Sequence, residues 1–155
     1  MAFKSCFFIG HREATEKLLP ALREAVETLI IEYGVREFFV GHYGEFDRLV
    51  RKVLVGAKQA HPEITLYLLT PYHPAERRIK KPEGFDFLYD PPDMENVPRP
   101  LAIVRANRYL VDRADYLIAY AWHGGSNALT LVEYAEARER KGMMKVTRLE
   151  KTARD

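Results

Sequence analysis

The chain has 155 residues, of which 47% are hydrophobic and 30% charged, a composition typical of one globular domain with a sizeable core. Its 24 basic and 22 acidic residues leave a formal charge of +2, so no overall electrostatic field favours nucleic acid. The sequence lacks both the layout of a signal peptide and a run of about 18 apolar residues, which predicts a protein that is neither secreted nor membrane-spanning. The single cysteine, Cys6, cannot form an intrachain disulfide, which favours the reducing cytoplasm.

Short apolar runs alternate with helical stripes along the chain. The runs at 6–9, 37–40, 64–69 and 115–120 have the length and composition of buried strands, and 143–146 resembles a weaker fifth strand. Apolar residues at helical spacing predict helices over 18–33, from Phe46 to before Pro62, over 101–112 and over 128–140.

Two segments depart from this alternation. Residues 72–100 hold six of the nine prolines and the basic cluster 77–81, which predicts a long functional or mobile loop. Residues 149–155 are predicted to form a polar tail. The whole chain, 1–155, is interpreted as a single domain, whose oligomeric state, including a homo-oligomer, the sequence leaves open.

Alternating strands and helices predict an α/β fold with a mostly parallel sheet of about five strands, in the order 3-2-1-4-5, covered by helices on both faces. In such sheets ligands bind at the carboxyl edge, near the point where the strand order reverses. Glycine-bearing segments follow three of the strands, at 10–12, 41–44 and 124–125. Their convergence at one edge predicts a binding site.

The residues at this edge suggest anion recognition. Glycines let a ligand approach the backbone, and the helix after Gly124 and Gly125, with Ser126 or Asn127 as a candidate N-cap, offers free N–H groups to an anion. Arg12 could contact phosphate or carboxylate, and Asp47 could accept from ribose hydroxyls. The predicted ligand-binding residues are Gly10, His11, Arg12, Gly41, His42, Gly44, Asp47, Tyr72, Asn107, Arg108, Gly124, Gly125 and Ser126. For catalysis the one candidate is Glu133, which could equally be an ordinary surface acid.

Several segments together resemble a known family. Gly10-His11-Arg12, residues 40–47, residues 105–112 leading into 114–120, and Gly124-Gly125 are similar to the YpsA-like branch of the SLOG superfamily, which also holds the DNA-processing protein DprA and the LOG phosphoribohydrolases. The resemblance reaches to about Val146. It implies a Rossmann-like three-layer sandwich that binds a nucleotide or a nucleotide-derived ligand.

Three functions follow as alternatives. The first is a binding domain, a sensor or accessory protein, for a nucleotide-type ligand. The second is a nucleotide-processing hydrolase that uses Arg12, Asn107 and Glu133; however, LOG-type hydrolases carry a threonine and paired acids after the glycine turn, whereas here one acid stands further along. The third is a partner of single-stranded nucleic acid, acting through residues 77–81 with Tyr72 and Phe85 as stacking aromatics.

Three histidines follow different strands at the predicted edge. His11, His42 and His123 could converge, and three histidines with an open position form catalytic zinc sites. The outer two of three adjacent strands are nearly 10 Å apart, since neighbouring strands are separated by about 4.8 Å. We therefore predict no metal and no certain cofactor, and interpret these histidines as contacts to a nucleotide-type ligand or to the backbone.

Overall fold

The structure is a computed structural model that describes residues 3–71 and 79–152, except for the side chain of Thr152. In chain order the strands are β1 Ser5–Gly10, β2 Glu37–Val40, β3 Thr65–Leu69, β4 Phe87–Tyr89, β5 Tyr116–Tyr120 and β6 Lys145–Arg148. The α-helices are α1 Leu19–Ile31, α2 Glu45–Ala60, α3 Arg99–Val111, α4 Asn127–Arg140 and α5 Leu149–Thr152, and a 3-10 turn at Glu16–Leu18 precedes α1.

One parallel sheet organises the molecule, with the strand order β4-β3-β2-β1-β5-β6. The five strands predicted from the sequence are β1, β2, β3, β5 and β6, and they have the predicted neighbours. The predicted number was wrong by one, because Phe87–Tyr89 adds an edge strand beside β3 from within the segment expected to be a loop.

The sheet is covered on both faces, so its central strands are buried on both sides. In β1, Cys6 and Phe8 face the core formed with α1 and α2, whereas Phe7 and Ile9 face the core formed with α3 and α4. All four side chains are at most 5% exposed. This is the reason that β1 is a continuous apolar run rather than an alternating one.

The last element corrects a second prediction. Residues 149–155 were expected to form a polar tail, but Leu149–Thr152 forms α5, and the Leu149 side chain is 1% exposed in the core shared with α1 and α2. The segment turns back onto the sheet because this one apolar side chain can be buried there. Among the helices in the described ranges, none has the length and apolarity needed to cross a membrane.

Candidate ligand-binding site

A pocket of about 430 Å³ lies at the carboxyl edge of the sheet. The loops after β1, β2 and β3 contribute to its wall, together with the first turns of α2 and α4 and one side of α3. β1 and β5 are neighbours while their helices cover opposite faces, so the pocket lies where the strand order reverses. Of the predicted ligand-binding residues, those in its wall are Gly10, His11, Arg12, Gly41, Asp47, Asn107 and Ser126.

Other predicted residues lie outside this wall: His42, Gly44, Arg108, Gly124 and Gly125. The Arg108 guanidinium lies 3.9 Å from the centre of the Tyr134 ring instead. Glu133, the candidate catalytic acid, is exposed on α4 and also outside the wall. Tyr72 and the arginines of the basic cluster, Arg77 and Arg78, fall outside the described residues.

His11 fixes the turn that follows β5. Its Nε2 atom accepts hydrogen bonds from the backbone N–H groups of Trp122 at 2.9 Å and His123 at 3.0 Å. A ring nitrogen that accepts must be unprotonated, so the imidazole is neutral and carries its proton on Nδ1. Burial lowers the pKa of His11, and the nearby His123 lowers it further. His11 is therefore a positioning residue for the turn.

The same turn is held from its other side by the C-terminal elements. The Ala121 N–H donates to Glu150 Oε1 at 3.3 Å, and the Ala121 carbonyl accepts from Arg148 Nη2 at 2.8 Å. Arg148 and Glu150 also pair with each other at 2.6 Å. Sequence reasoning missed both residues, because one was placed past the last strand and the other in the supposed tail.

Ser126, one of the two candidates that the sequence offered, is the N-cap of α4. Its Oγ accepts from the Leu129 N–H at 3.1 Å and donates to the His123 carbonyl at 2.8 Å. Gly125 has φ +80°, a conformation that favours glycine, although an added Cβ would meet nothing within 4 Å. The glycine therefore shapes the turn, as its positive φ requires.

The first turn of α4 presents unused donors to the pocket. Asn127 and Ala128 lie in the pocket wall, and within residues 3–71 and 79–152 their N–H groups meet no acceptor. Helix N–H groups at this end carry a partial positive charge and bind anions.

Arg12 adds a full positive charge to this wall. Its side chain is exposed, and its guanidinium forms no ion pair with any residue of the described ranges. The backbone at this position is fixed, because the Glu45 N–H donates to the Arg12 carbonyl at 2.8 Å. Gly44 makes this contact sterically feasible, since a Cβ there would lie 2.7 Å from the Arg12 Cα. The loops after β1 and β2 thus hold Arg12 at the pocket.

Asp47 is the carboxylate fixed most firmly in the wall. Its Oδ2 accepts from the Tyr43 N–H at 3.1 Å. A Cβ at Gly41 would lie 2.9 Å from the same oxygen, so a larger residue there would push this carboxylate out of its position. Burial raises the pKa of Asp47 to about 7, although the Tyr43 N–H and the charge of Arg51 oppose the shift.

The three-histidine arrangement does not assemble as a metal site. His11 directs Nε2 at backbone N–H groups, and the His123 Nδ1 lies 3.1 Å from the Gly124 carbonyl. Across residues 3–71 and 79–152, no group of three or more His, Cys, Asp or Glu side chains is arranged to hold a metal ion. The chemistry offered by the pocket is anion binding at one end and a fixed carboxyl group at the other.

Comparisons with known proteins support the fold. No family model matches the sequence, and no curated protein matches it. Among solved structures, the chain is similar to DNA processing protein A from Helicobacter pylori, the subject of a study of its single-stranded DNA binding mode. The identity is 12% and the TM-score 0.56, over 97% of this chain and 78% of that one. At this identity the likeness shows a shared Rossmann-like α/β fold and no more.

Proposed function

We propose that this domain binds a small phosphate-bearing ligand of the nucleotide type and acts as a sensor or accessory protein. The observation that carries the proposal is the pairing of two kinds of positive group in one wall. The N–H groups of Asn127 and Ala128 have no acceptor within the described ranges, and the exposed Arg12 side chain belongs to the wall of the same pocket. A phosphate bound there would satisfy all of these donors together.

The remainder of the pocket suits the organic part of such a ligand. Apolar side chains of α3 and α4, among them Ile103 and Leu131, form part of the wall. A volume of about 430 Å³ lies within the range of roughly 300–1,000 Å³ that is usual for small-molecule sites. A nucleotide combines the anionic end and the flat apolar ring that these two regions would accept. This use also agrees with the proposed membership of the YpsA-like branch.

Binding without hydrolysis is favoured over the phosphoribohydrolase alternative. Glu133, which would serve as the catalytic acid or base, is exposed and lies outside the pocket wall. The described carboxyl groups in the wall are those of Glu13 and Asp47. Only the latter is fixed by a backbone N–H group, and it follows β2 rather than the glycine turn.

Isothermal titration calorimetry with AMP and with adenosine tests the proposal. We expect AMP to bind, adenosine to bind at least tenfold more weakly, and Arg12→Ala to weaken AMP binding about tenfold through the loss of one charged contact. Arg23→Ala is the matched control, because Arg23 is exposed on α1 and lies outside the pocket wall. Equal affinities of the Arg12 and Arg23 variants for AMP would contradict the proposed phosphate site.

The fold likeness favours single-stranded nucleic acid as a second candidate. The protein of similar fold was studied for its binding of single-stranded DNA. Beside the pocket, Trp122 is 47% exposed and could stack on a base, and Lys80 is exposed in the basic cluster. This candidate predicts binding to an oligonucleotide that weakens steeply as salt is raised, and that exceeds the affinity for a mononucleotide. An affinity for oligonucleotide no greater than that for AMP would exclude it.

A further inference from the structure

We propose that the Asp47 carboxylate receives the 2′-hydroxyl of the bound sugar, so that the pocket selects ribonucleotides over deoxyribonucleotides. This inference rests on the proposed function, because it names the class of ligand that the same pocket would take. Three features of the structure carry it: the carboxylate is held in one orientation, one of its oxygens accepts no hydrogen bond from the described residues, and it follows β2, two strands away from the turn before α4.

The orientation is held by the backbone around it. The Tyr43 N–H donates to Oδ2 at 3.1 Å, and the glycine at position 41 leaves room for this oxygen, since a Cβ there would approach it to 2.9 Å. Arg51 on the next turn of α2 donates to the Gly41 carbonyl at 3.1 Å and so keeps this segment in place. A carboxylate held in this way loses little conformational entropy when it binds a ligand.

The second carboxylate oxygen has no hydrogen-bond partner among the described residues. Oδ1 of Asp47 accepts no hydrogen bond from residues 3–71 or 79–152, and the residue lies in the pocket wall. A carboxylate oxygen accepts hydrogen bonds and donates none when ionised, so its natural partner is a hydroxyl or an N–H group. It would repel a phosphate, which assigns it to the sugar or base end of a nucleotide.

The position in the sheet favours the sugar. Asp47 follows β2 and the anion-binding turn follows β5, with β1 between them. Two strand spacings separate the strand ends by about 10 Å. A sugar joined to a phosphate at α4 would extend across the end of β1, where Gly10 offers no side chain, and bring its hydroxyls towards Asp47.

Calorimetric titration with three probes tests the inference: inorganic pyrophosphate, ribose 5-phosphate and 2-deoxyribose 5-phosphate, each at pH 8, where Asp47 is mostly ionised. We expect ribose 5-phosphate to bind about tenfold more tightly than its deoxy analogue, as expected for one hydrogen bond to a charged acceptor. Asp47→Asn keeps an oxygen for the Tyr43 N–H and should fold, but it removes the charge, so the preference should fall to about threefold or less. Glu24→Gln, the matched loss of an exposed carboxylate on α1 outside the pocket wall, should retain the full preference.

The outcomes separate this inference from the proposed function. If both sugar phosphates bind equally well, or if Asp47→Asn keeps the tenfold preference, Asp47 does not recognise the 2′-hydroxyl and the inference is overturned while the phosphate site stands. If pyrophosphate binds but neither sugar phosphate does, the inference about Asp47 is likewise overturned while the phosphate site stands. If none of the three probes binds, the proposed function fails and the inference fails with it.

Discussion

Replacing His11 with alanine tests the mechanism by which the binding turn is held. The substitution removes the acceptor of two backbone N–H groups and a ring that is 8% exposed and packs against Trp122 with ring centres 4.4 Å apart. Each hydrogen bond contributes a net of about 0.5–1.5 kcal/mol. With the lost packing, we expect the free energy of unfolding to fall by about 2–3 kcal/mol.

Urea denaturation followed by circular dichroism measures this change, and calorimetry on the same variant measures the affinity for AMP. The affinity should fall together with the stability, because a released turn no longer orients the N–H groups of α4. His11→Gln is the control, since its amide oxygen can replace Nε2 as an acceptor, and it should recover most of both losses. If the free energy of unfolding falls by less than about 0.5 kcal/mol in His11→Ala, or falls equally in His11→Gln, His11 does not hold the turn through these hydrogen bonds.

The hydrogen bonds of His11 to the turn also make the free energy of unfolding depend on pH. Its pKa is lowered in the folded protein, so the unfolded chain binds the proton more readily. The contribution of His11 is therefore complete above the unfolded pKa of about 6.5 and decreases as the pH falls below it. His11→Gln, which does not titrate, should remove this part of the pH dependence.

Three further predictions follow from the packing around the site. Asp47→Asn should be more stable than the wild type at pH 8, because the raised pKa of Asp47 means that folding disfavours the ionised carboxyl. This difference in the free energy of unfolding should shrink by up to about 1.4 kcal/mol per pH unit below 7. Urea unfolding curves that show the same difference at pH 8 and pH 6 would contradict the prediction. Glu150→Ala should lower the free energy of unfolding by about 2 kcal/mol, since the Ala121 N–H loses its acceptor and Arg148 loses one of its two carboxylate partners. An effect within error in urea denaturation would show that the contacts of Glu150 do not stabilise the fold. Cys6 is 0% exposed, and burial raises the pKa of its thiol. A thiol reagent should therefore label the folded protein over hours but the urea-unfolded protein within minutes. Equally fast labelling of the folded and unfolded protein would exclude a buried β1.

The order of the main strands could be predicted because each is a continuous apolar run. Burial on both faces leaves that pattern in the sequence, and right-handed crossovers restrict the order in which such strands can lie. β4 leaves no comparable pattern: it has three residues, it follows a proline-rich stretch, and Phe87 is 55% exposed at the sheet edge. Its strand character comes from pairing with β3, which is a tertiary contact.

Chain order predicts which segments converge at the candidate pocket, whereas it does not predict what their side chains contact. Chain order alone brings Gly10, Gly41 and Ser126 to one edge, and the structure places all three in the pocket wall. The direction of a side chain is not encoded in this spacing. His11 turns to the backbone of the neighbouring turn, whereas Arg12, the next residue, remains exposed at the pocket.

Two glycines of the predicted binding segments, Gly10 and Gly125, are also needed for reasons other than the approach of a ligand. Gly10 is required by packing, since a Cβ would lie 2.3 Å from the Phe46 ring, and Gly125 is required by its positive φ. The sequence pattern did not predict the stabilising contacts of Glu150. A charged residue near a chain terminus usually lies in solvent, and only the burial of Leu149 brings its neighbour back to Ala121.

Amide resonances of the uniformly ¹⁵N-labelled protein give the most direct test of the phosphate site. During titration with AMP, the N–H resonances of Asn127 and Ala128 should move downfield in saturable fashion, and further than those of any residue on α1, because these two groups would donate to the phosphate. Adenosine at the same concentrations should leave them in place. If AMP binds while the two resonances do not move, the phosphate lies elsewhere and the proposed site at the start of α4 is wrong.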